Sequence, residues 1–289
     1  MSFSKAIARD AEMIAARLDR AMAGMGDEAV VQAMRYAVQG GKRLRGFLVL
    51  ESARMLGVEE HRAISAAASV EALHAYSLVH DDLPCMDDDD LRRGLPTVHV
   101  KWDEATAVLA GDALQTLAFE LMCDADLGSA EVRIALVADL ARASGADGMV
   151  LGQALDIAAE TSQTALTIEQ ITRLQNGKTG ALIRFSAEAG AIIAGADRGP
   201  LRAYADCLGL AFQIADDVLD VVGDAAKTGK RVGKDAGAGK ATFVSLLGLE
   251  AARLRAEELT KQAENHLIPY GIGAQNLIEA AHFVISRES

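Results

Sequence analysis

Only four prolines punctuate 289 residues, and that scarcity of helix breakers narrows the fold more than any other feature. Proline costs about 3 kcal/mol in a helix interior, whereas alanine and leucine, which dominate here, are among the best helix formers. Apolar side chains recur at steps of three and four along most of the chain, the period of a helix with a buried face. The pattern predicts two amphipathic helices over 4–38 with a break near Gly24-Met25-Gly26. Further helices are predicted over 47–56, 64–79, 104–123, 129–144, 149–159, 206–222, 242–266 and 274–285. No linker, low-complexity tract or short-period repeat divides them, so a single all-α domain is expected over 1–289.

Two acidic segments interrupt this apolar background. In His80-Asp81-Asp82-Leu83-Pro84-Cys85-Met86-Asp87-Asp88-Asp89-Asp90-Leu91-Arg92-Arg93-Gly94, six aspartates fall within ten positions and two arginines follow. Like charges about 4 Å apart repel by about 4 kcal/mol at the effective dielectric of a protein surface, so something must neutralise them. A solvated loop is one answer and a calcium loop another, but the EF-hand pattern needs a glycine and a closing glutamate that are missing here. Mg2+ with a diphosphate fits better, because Mg2+ takes one or two carboxylates plus substrate phosphates while arginine forks grip phosphate oxygens. Pro84 disfavours helical geometry at Leu83. The six-residue step from Asp81 to Asp87 is not a helical repeat, so the loop has to carry Asp87 back towards Asp81. Asp88, Asp89 and Asp90 read as solvated.

The second segment lies in 206–222. Cys207, Ala211, Ile214, Val218 and Val221, with Leu208, Phe212, Ala215, Leu219 and Val222, form a wide apolar band. Opposite it run Gln213, Asp216, Asp217 and Asp220, carboxylates that burial would strand unless they met a cation. A glycine-rich basic stretch, 228–240, follows.

Other polar residues fall into small groups. Gly40-Gly41-Lys42-Arg43-Leu44-Arg45-Gly46 sets three cations between glycines, which let the backbone close round an anion. Lys42 and Arg45 have the spacing of one side of a helical turn. His74, Ser77 and Asp81 share a helical face, and Gln153 with Asp156 could support a metal site from behind. Asn176-Gly177-Lys178-Thr179-Gly180 imitates half of a nucleotide P-loop, but Thr172 stands where that loop needs glycine and no strand-like run precedes it. Lys178 and Thr179 remain candidate ligands of some other phosphate.

A net charge of −12 argues against nucleic acid or an anionic membrane surface as a partner. Cys85, Cys123 and Cys207 fit no zinc or disulfide spacing. Lys5, Arg9 and Asp10 break any signal-peptide run, and no apolar stretch reaches the roughly 18 residues of a membrane span. A cytoplasmic protein without stable membrane insertion is expected.

The two aspartate segments, each followed by cations, resemble those of the trans-isoprenyl diphosphate synthases, and most nearly the bacterial farnesyl-forming members. The likeness runs from Gly40-Gly41-Lys42-Arg43-Leu44-Arg45 to the C-terminal helices. Asp81-Asp82 through Asp87 is similar to the family's first aspartate-rich motif in its form with two extra residues, and Asp216-Asp217-Val218-Leu219-Asp220 to the second. The resemblance implies a polyprenyl synthetase domain, a helical bundle around a deep central cavity, and a homodimer. It implies Mg2+ held by Asp81, Asp87 and Asp216, with Asp220 at the same site and Asp82 and Asp217 supporting or bridging. Isopentenyl diphosphate would be held by Lys42, Arg45, His74 and Arg93, and the allylic diphosphate by Arg92, Lys178, Thr179, Gln213, Lys230 and Lys240.

On that resemblance the allylic C–O bond ionises, the carbocation alkylates the double bond of isopentenyl diphosphate, and the released diphosphate takes the final proton. Dimethylallyl and then geranyl diphosphate would be extended to farnesyl diphosphate, with Asp81, Asp82, Asp87, Asp216 and Lys178 as the catalytic set. No protein nucleophile is required, in keeping with the lack of a Ser/His/Asp or Cys/His constellation. Tyr76 would set a bulky floor under the growing chain, whereas small Ser77 beside it keeps geranylgeranyl diphosphate synthase as the alternative. A class I terpene cyclase would not need the second diphosphate site of Lys42, Arg45 and Arg93. A non-catalytic helical protein binding divalent metal would not need the cations that follow each acidic segment.

Overall fold

Helix follows helix in nearly the order that the apolar period predicts. The computed structural model describes residues 2–160, 166–222 and 242–286. The helices are α1 (Phe3–Met22), α2 (Ala29–Ala37), α3 (Leu44–Met55), α4 (Ile64–Asp81), α5 (Val98–Lys101), α6 (Glu104–Leu121) and α7 (Ala130–Ser144). They continue as α8 (Met149–Glu160), α9 (Ile168–Gln175), α10 (Ala181–Ala194), α11 (Gly199–Val222), α12 (Phe243–Leu247), α13 (Leu249–Leu267) and α14 (Gln275–Ser286). Among the described residues, no helix is long and apolar enough to cross a membrane.

Helix α1 buries Ala6, Asp10, Ile14, Leu18 and Met22, a single stripe at steps of four. Helices α3, α4 and α10 differ, for every residue over 46–53, 65–73 and 185–193 is buried. Helices apolar all round belong at the centre, and small side chains let these three approach closely. A Cβ added at Gly190 would stand 2.3 Å from Ala53 N, so α10 crosses α3 where only glycine fits. Arg54 on α3 donates from both terminal nitrogens to the fully buried Asp10 of α1, at 2.7 and 2.8 Å. Glu51, on the same helix, accepts from Asn276 Nδ2 of α14 at 2.9 Å, so the first and last helices are fastened to one central helix.

Four departures from the predicted helices matter for the site. First, Leu91–Arg92 (β1) pairs antiparallel with Leu95–Pro96 (β2). The turn residues Arg93 and Gly94 both have positive φ, 54° and 75°, as a two-residue type I′ hairpin requires. Second, the chain from 168 to 194 is helical, opened by a capping box between Thr167 and Gln170, and α11 starts at Gly199 instead of 206. Third, Gly248 at φ 82° splits the helix predicted over 242–266 into α12 and α13. Fourth, Lys42 precedes α3, because Gly40, Gly41 and Arg43 take φ of 70°, 78° and 50°. Lys42 and Arg45 therefore do not share a helical turn as their spacing suggested.

Candidate active site

The end of α4 organises the site. Asp81 is its last residue, and the chain then folds back on itself: Met86 N–H donates to Leu83 O at 2.8 Å and Asp87 N–H to Asp81 O at 2.8 Å. Asp88 makes the reversal with φ of 51°. The loop thus returns Asp87 to Asp81, as the proline and the spacing required. Burial, opposed by the Lys178 charge and reinforced by Asp87, raises the Asp81 carboxyl to about 6.

Asp82 is buried and meets the hairpin. Arg92 Nε donates to Asp82 Oδ1 at 3.1 Å, and Nη2 bonds the same oxygen. Asp89 lies 3.8 Å from Arg92 Nη2. Burial raises the Asp82 carboxyl, and Arg92 holds the rise in check. Arg93, the next residue, turns the other way and donates from Nη1 to Gln39 O at 2.8 Å. Its guanidinium lies over Gly41, where an added Cβ would come within 2.8 Å of Cζ. The hairpin therefore carries one cation to the aspartate loop and the next to the Gly40-Gly41-Lys42-Arg43 turn.

At that turn Arg43, which sequence reasoning passed over as a site residue, donates from Nη2 to Val38 O at 2.7 Å. Lys42 Nζ lies 4.9 Å from the centroid of Phe283. Arg45 is in the first turn of α3, where Gly46 N–H donates to Glu71 Oε1 of α4 at 2.8 Å. His74 is one turn beyond Glu71, so α4 presents it on the face that meets the start of α3. The Gly46–Glu71 bond thus joins the segment of Lys42 and Arg45 to the helix of His74, and the hairpin brings Arg93 over Gly41.

Between α9 and α10 the helix widens into a π-turn, Asn176–Gly180, which contains Lys178 and the buried Thr179. Such turns cluster at functional sites because they re-aim side chains within a continuous helix. Gly152 of α8 lies directly against this turn: an added Cβ would stand 1.9 Å from Lys178 N. One turn further along α8, Asp156 Oδ2 accepts from Lys178 Nζ at 2.5 Å. Lys178 also acts on Asp81, so the lysine faces two carboxylates from different helices. Asp156 thus holds this lysine, a partner different from the metal site its sequence position suggested. Both polar atoms of the Gln153 amide are buried with no hydrogen-bond partner among the described residues.

On α11, Gln213 Nε2 donates to Gln175 Oε1 at 2.6 Å, joining the acidic stripe to the residue before the π-turn. Asp216 and Asp220 are half-buried, whereas Asp217 is buried and accepts from the Phe243 N–H at 2.7 Å. Among the described residues, no three His, Cys, Asp or Glu side chains are gathered as a ready-made metal site. Lys230 and Lys240 lie outside the described residues.

Tyr76 stacks edge-on with His80, ring centroids 5.0 Å apart. Burial, with the charges of Asp81 and Asp112, raises its phenol, and the Gln115 side chain bonds it. Asp112 and Gln115 of α6 were not singled out from sequence, since nothing in an isolated helix shows which neighbour it faces. Ser77 Oγ donates to His74 O at 2.9 Å, within its own helix.

Comparison with known proteins identifies the family of the chain. The family model described as polyprenyl synthetase matches residues 27–267. Farnesyl diphosphate synthase of Escherichia coli (strain K12) is 50% identical over 269 residues, 89% of each chain. Geranylgeranyl pyrophosphate synthase 9, chloroplastic, of Arabidopsis thaliana is 41% identical, covering 97% of this chain and 80% of its own. The apo crystal structure of an FPP/GFPP synthase from Zymomonas mobilis superposes with a TM-score of 0.89 at 44% identity, covering 98% of this chain and 99% of that one.

Proposed function

The chain belongs to the polyprenyl synthetase family, and on that premise we propose that it is a prenyltransferase condensing isopentenyl diphosphate with dimethylallyl and geranyl diphosphates to give farnesyl diphosphate. The observation that carries this reading is the convergence on Asp81. Asp82 and Asp87 are folded back beside a carboxyl raised to about 6, while Lys178 and Arg92 face it from the π-turn and the hairpin. Such a site suits an anion brought in with a divalent cation and suits neither partner alone.

The donors on offer are carboxylate oxygens, the chemistry of a hard ion, and Mg2+ needs only one or two of them when substrate phosphates complete its shell. We assign Asp81, Asp87 and Asp216 to Mg2+, with Asp220 alongside. When bound, the metal supplies positive charge that offsets the charge developing on the departing diphosphate. Lys178, steadied by Asp156, contributes a fixed cation to the same end. Arg92 contributes another: Asp82 takes its Nε and Nη2 edge, so Nη1 is turned away from that carboxylate. Thr179, Gln213, Lys230 and Lys240 complete the allylic set on the family pattern. Lys42, Arg45, His74 and Arg93 hold isopentenyl diphosphate so that its double bond meets the cation.

Tyr76 limits growth at fifteen carbons in this reading. The chain acts as a homodimer, supported by the exposed apolar side chains Leu91, Leu95, Val100 and Leu109 along the hairpin, α5 and α6. A single-chain mass by light scattering would overturn that. Free thiols at Cys85, Cys123 and Cys207 suit a reducing cytoplasm.

The test is incubation with isopentenyl and dimethylallyl diphosphates, with and without Mg2+, followed by chromatography of the dephosphorylated products. Farnesol formed only with Mg2+ supports the reading. Geranylgeraniol as the main product overturns the chain length and keeps the reaction, whereas no product with any allylic primer overturns the reaction itself.

A further inference from the structure

Asp217 belongs by sequence to the second aspartate segment, yet it departs from Asp216 and Asp220 in burial. At 7% exposure it is buried, and its Oδ2 accepts from the Phe243 N–H at 2.7 Å. Phe243 is 2% exposed and packs with Ile171 of α9, Ala211 and Ile214 of α11, and Ala252 and Leu259 of α13. One residue is therefore held twice, by its amide on the acidic helix and by its ring in the seam between α9 and α11. Helix α9 leads directly into the π-turn of Lys178, and Gln213 of α11 is bonded to Gln175 at its end. Thr242 and Ser245 cap the same point reciprocally, so α12 starts in one defined geometry.

We propose that Asp217 is a positioning residue, not a metal ligand: through the Phe243 amide it locks α9, α11 and the start of α12 together, and so fixes the elements that present Lys178 and Gln213 to the allylic diphosphate. The inference rests on the prenyl-transfer reading for its consequence, but the clamp itself can be measured without turnover. An asparagine carbonyl can accept the same N–H, whereas it is a poor substitute for a charged metal ligand; alanine can do neither.

The experiment compares D217N and D217A with D216N in the full-length protein. Hydrogen exchange at the Phe243 amide is expected to stay slow in D217N and to become fast in D217A. The KM for geranyl diphosphate is expected to rise about tenfold or more in D217A and to return to within about threefold of wild type in D217N, since a hydrogen bond to a charged group is worth about one to two such factors. Mn2+ binding followed by electron paramagnetic resonance is expected to be unchanged in D217N and weakened in D216N. Mn2+ binding lost as fully in D217N as in D216N would overturn the proposal, and so would an unchanged KM in D217A. If D217A does not fold, D217N still decides between ligand and clamp. A wild-type protein that forms no product would overturn the prenyl-transfer reading alone, because amide exchange and metal binding would still report on Asp217.

Discussion

Lys178 Nζ stands 2.5 Å from Asp156 Oδ2 while its charge also acts on Asp81, so one lysine is shared between α8 and the end of α4. Asp156 has no positive charge to offer a diphosphate; its effect is to aim the lysine. Replacing Asp156 with asparagine should leave Lys178 charged but less fixed, raising the KM for the allylic substrate about tenfold with a smaller fall in kcat. Lys178→Ala should instead lower kcat by about a hundredfold or more, since it removes charge from the transition state. Steady-state kinetics with geranyl diphosphate checks both, and equal effects of the two variants on KM and kcat would refute the division of roles.

Asp81 gives a pH signature without metal. Its carboxyl is raised to about 6 from the ordinary 3.8, so between those values the folded chain holds a proton that the unfolded chain has released. Stability from this group accordingly falls as pH rises through that window and levels off above it. Asp81→Asn has no charge to bury, so in EDTA it should melt with wild type near pH 4 and above it at pH 7.5, by on the order of 2–3 kcal/mol. Thermal melts at the two pH values measure the difference, and a gain that is largest at pH 4 would contradict the sign.

Gly152 tests how closely α8 must approach the π-turn. An added Cβ would meet Lys178 N at 1.9 Å and Lys178 Cα at 2.5 Å, and backbone cannot swing aside as a side chain can. Gly152→Ala should destabilise by about 3 kcal/mol and displace Lys178 as it does so, lowering activity beyond the loss of folded protein. Denaturant unfolding alongside kinetics per folded molecule separates the two effects.

Tyr76 is pinned by His80 on its own helix and by Gln115 from α6. Tyr76→Ala should move the main product from fifteen carbons to twenty with isopentenyl diphosphate in excess, at a stability cost of about 2–3 kcal/mol. Product chromatography decides, and farnesol as the main product would show that another residue stops the chain.

The helices were legible because their signal is local: the stripe of α1 and the alanine-rich, mostly apolar run of α4 can be read from spacing alone. The return of Asp87 was legible too, since Pro84 ends the helix within reach of Asp81. What the sequence hid was contact between elements. Nothing near Lys178 announces that Asp156 will hold it, because the pair is brought together by Gly152 meeting Gly177 and Lys178 across two helices. Asp217 looked like its neighbours Asp216 and Asp220 because identical side chains on one helix are told apart only by what each faces. The hairpin was missed because Arg93 at positive φ is an unusual choice for a residue other than glycine, asparagine or aspartate.

That turn has an evolutionary consequence. Arg92 and Arg93 are neighbours in sequence, yet the left-handed geometry at Arg93 sends one to Asp82 and the other to Gln39. In the proposed reading, which arginine serves the electrophile and which the nucleophile is thereby decided at a single peptide bond. A one-residue insertion or deletion here would exchange the two assignments together instead of weakening either, so this stretch should tolerate substitution far more readily than any change in length.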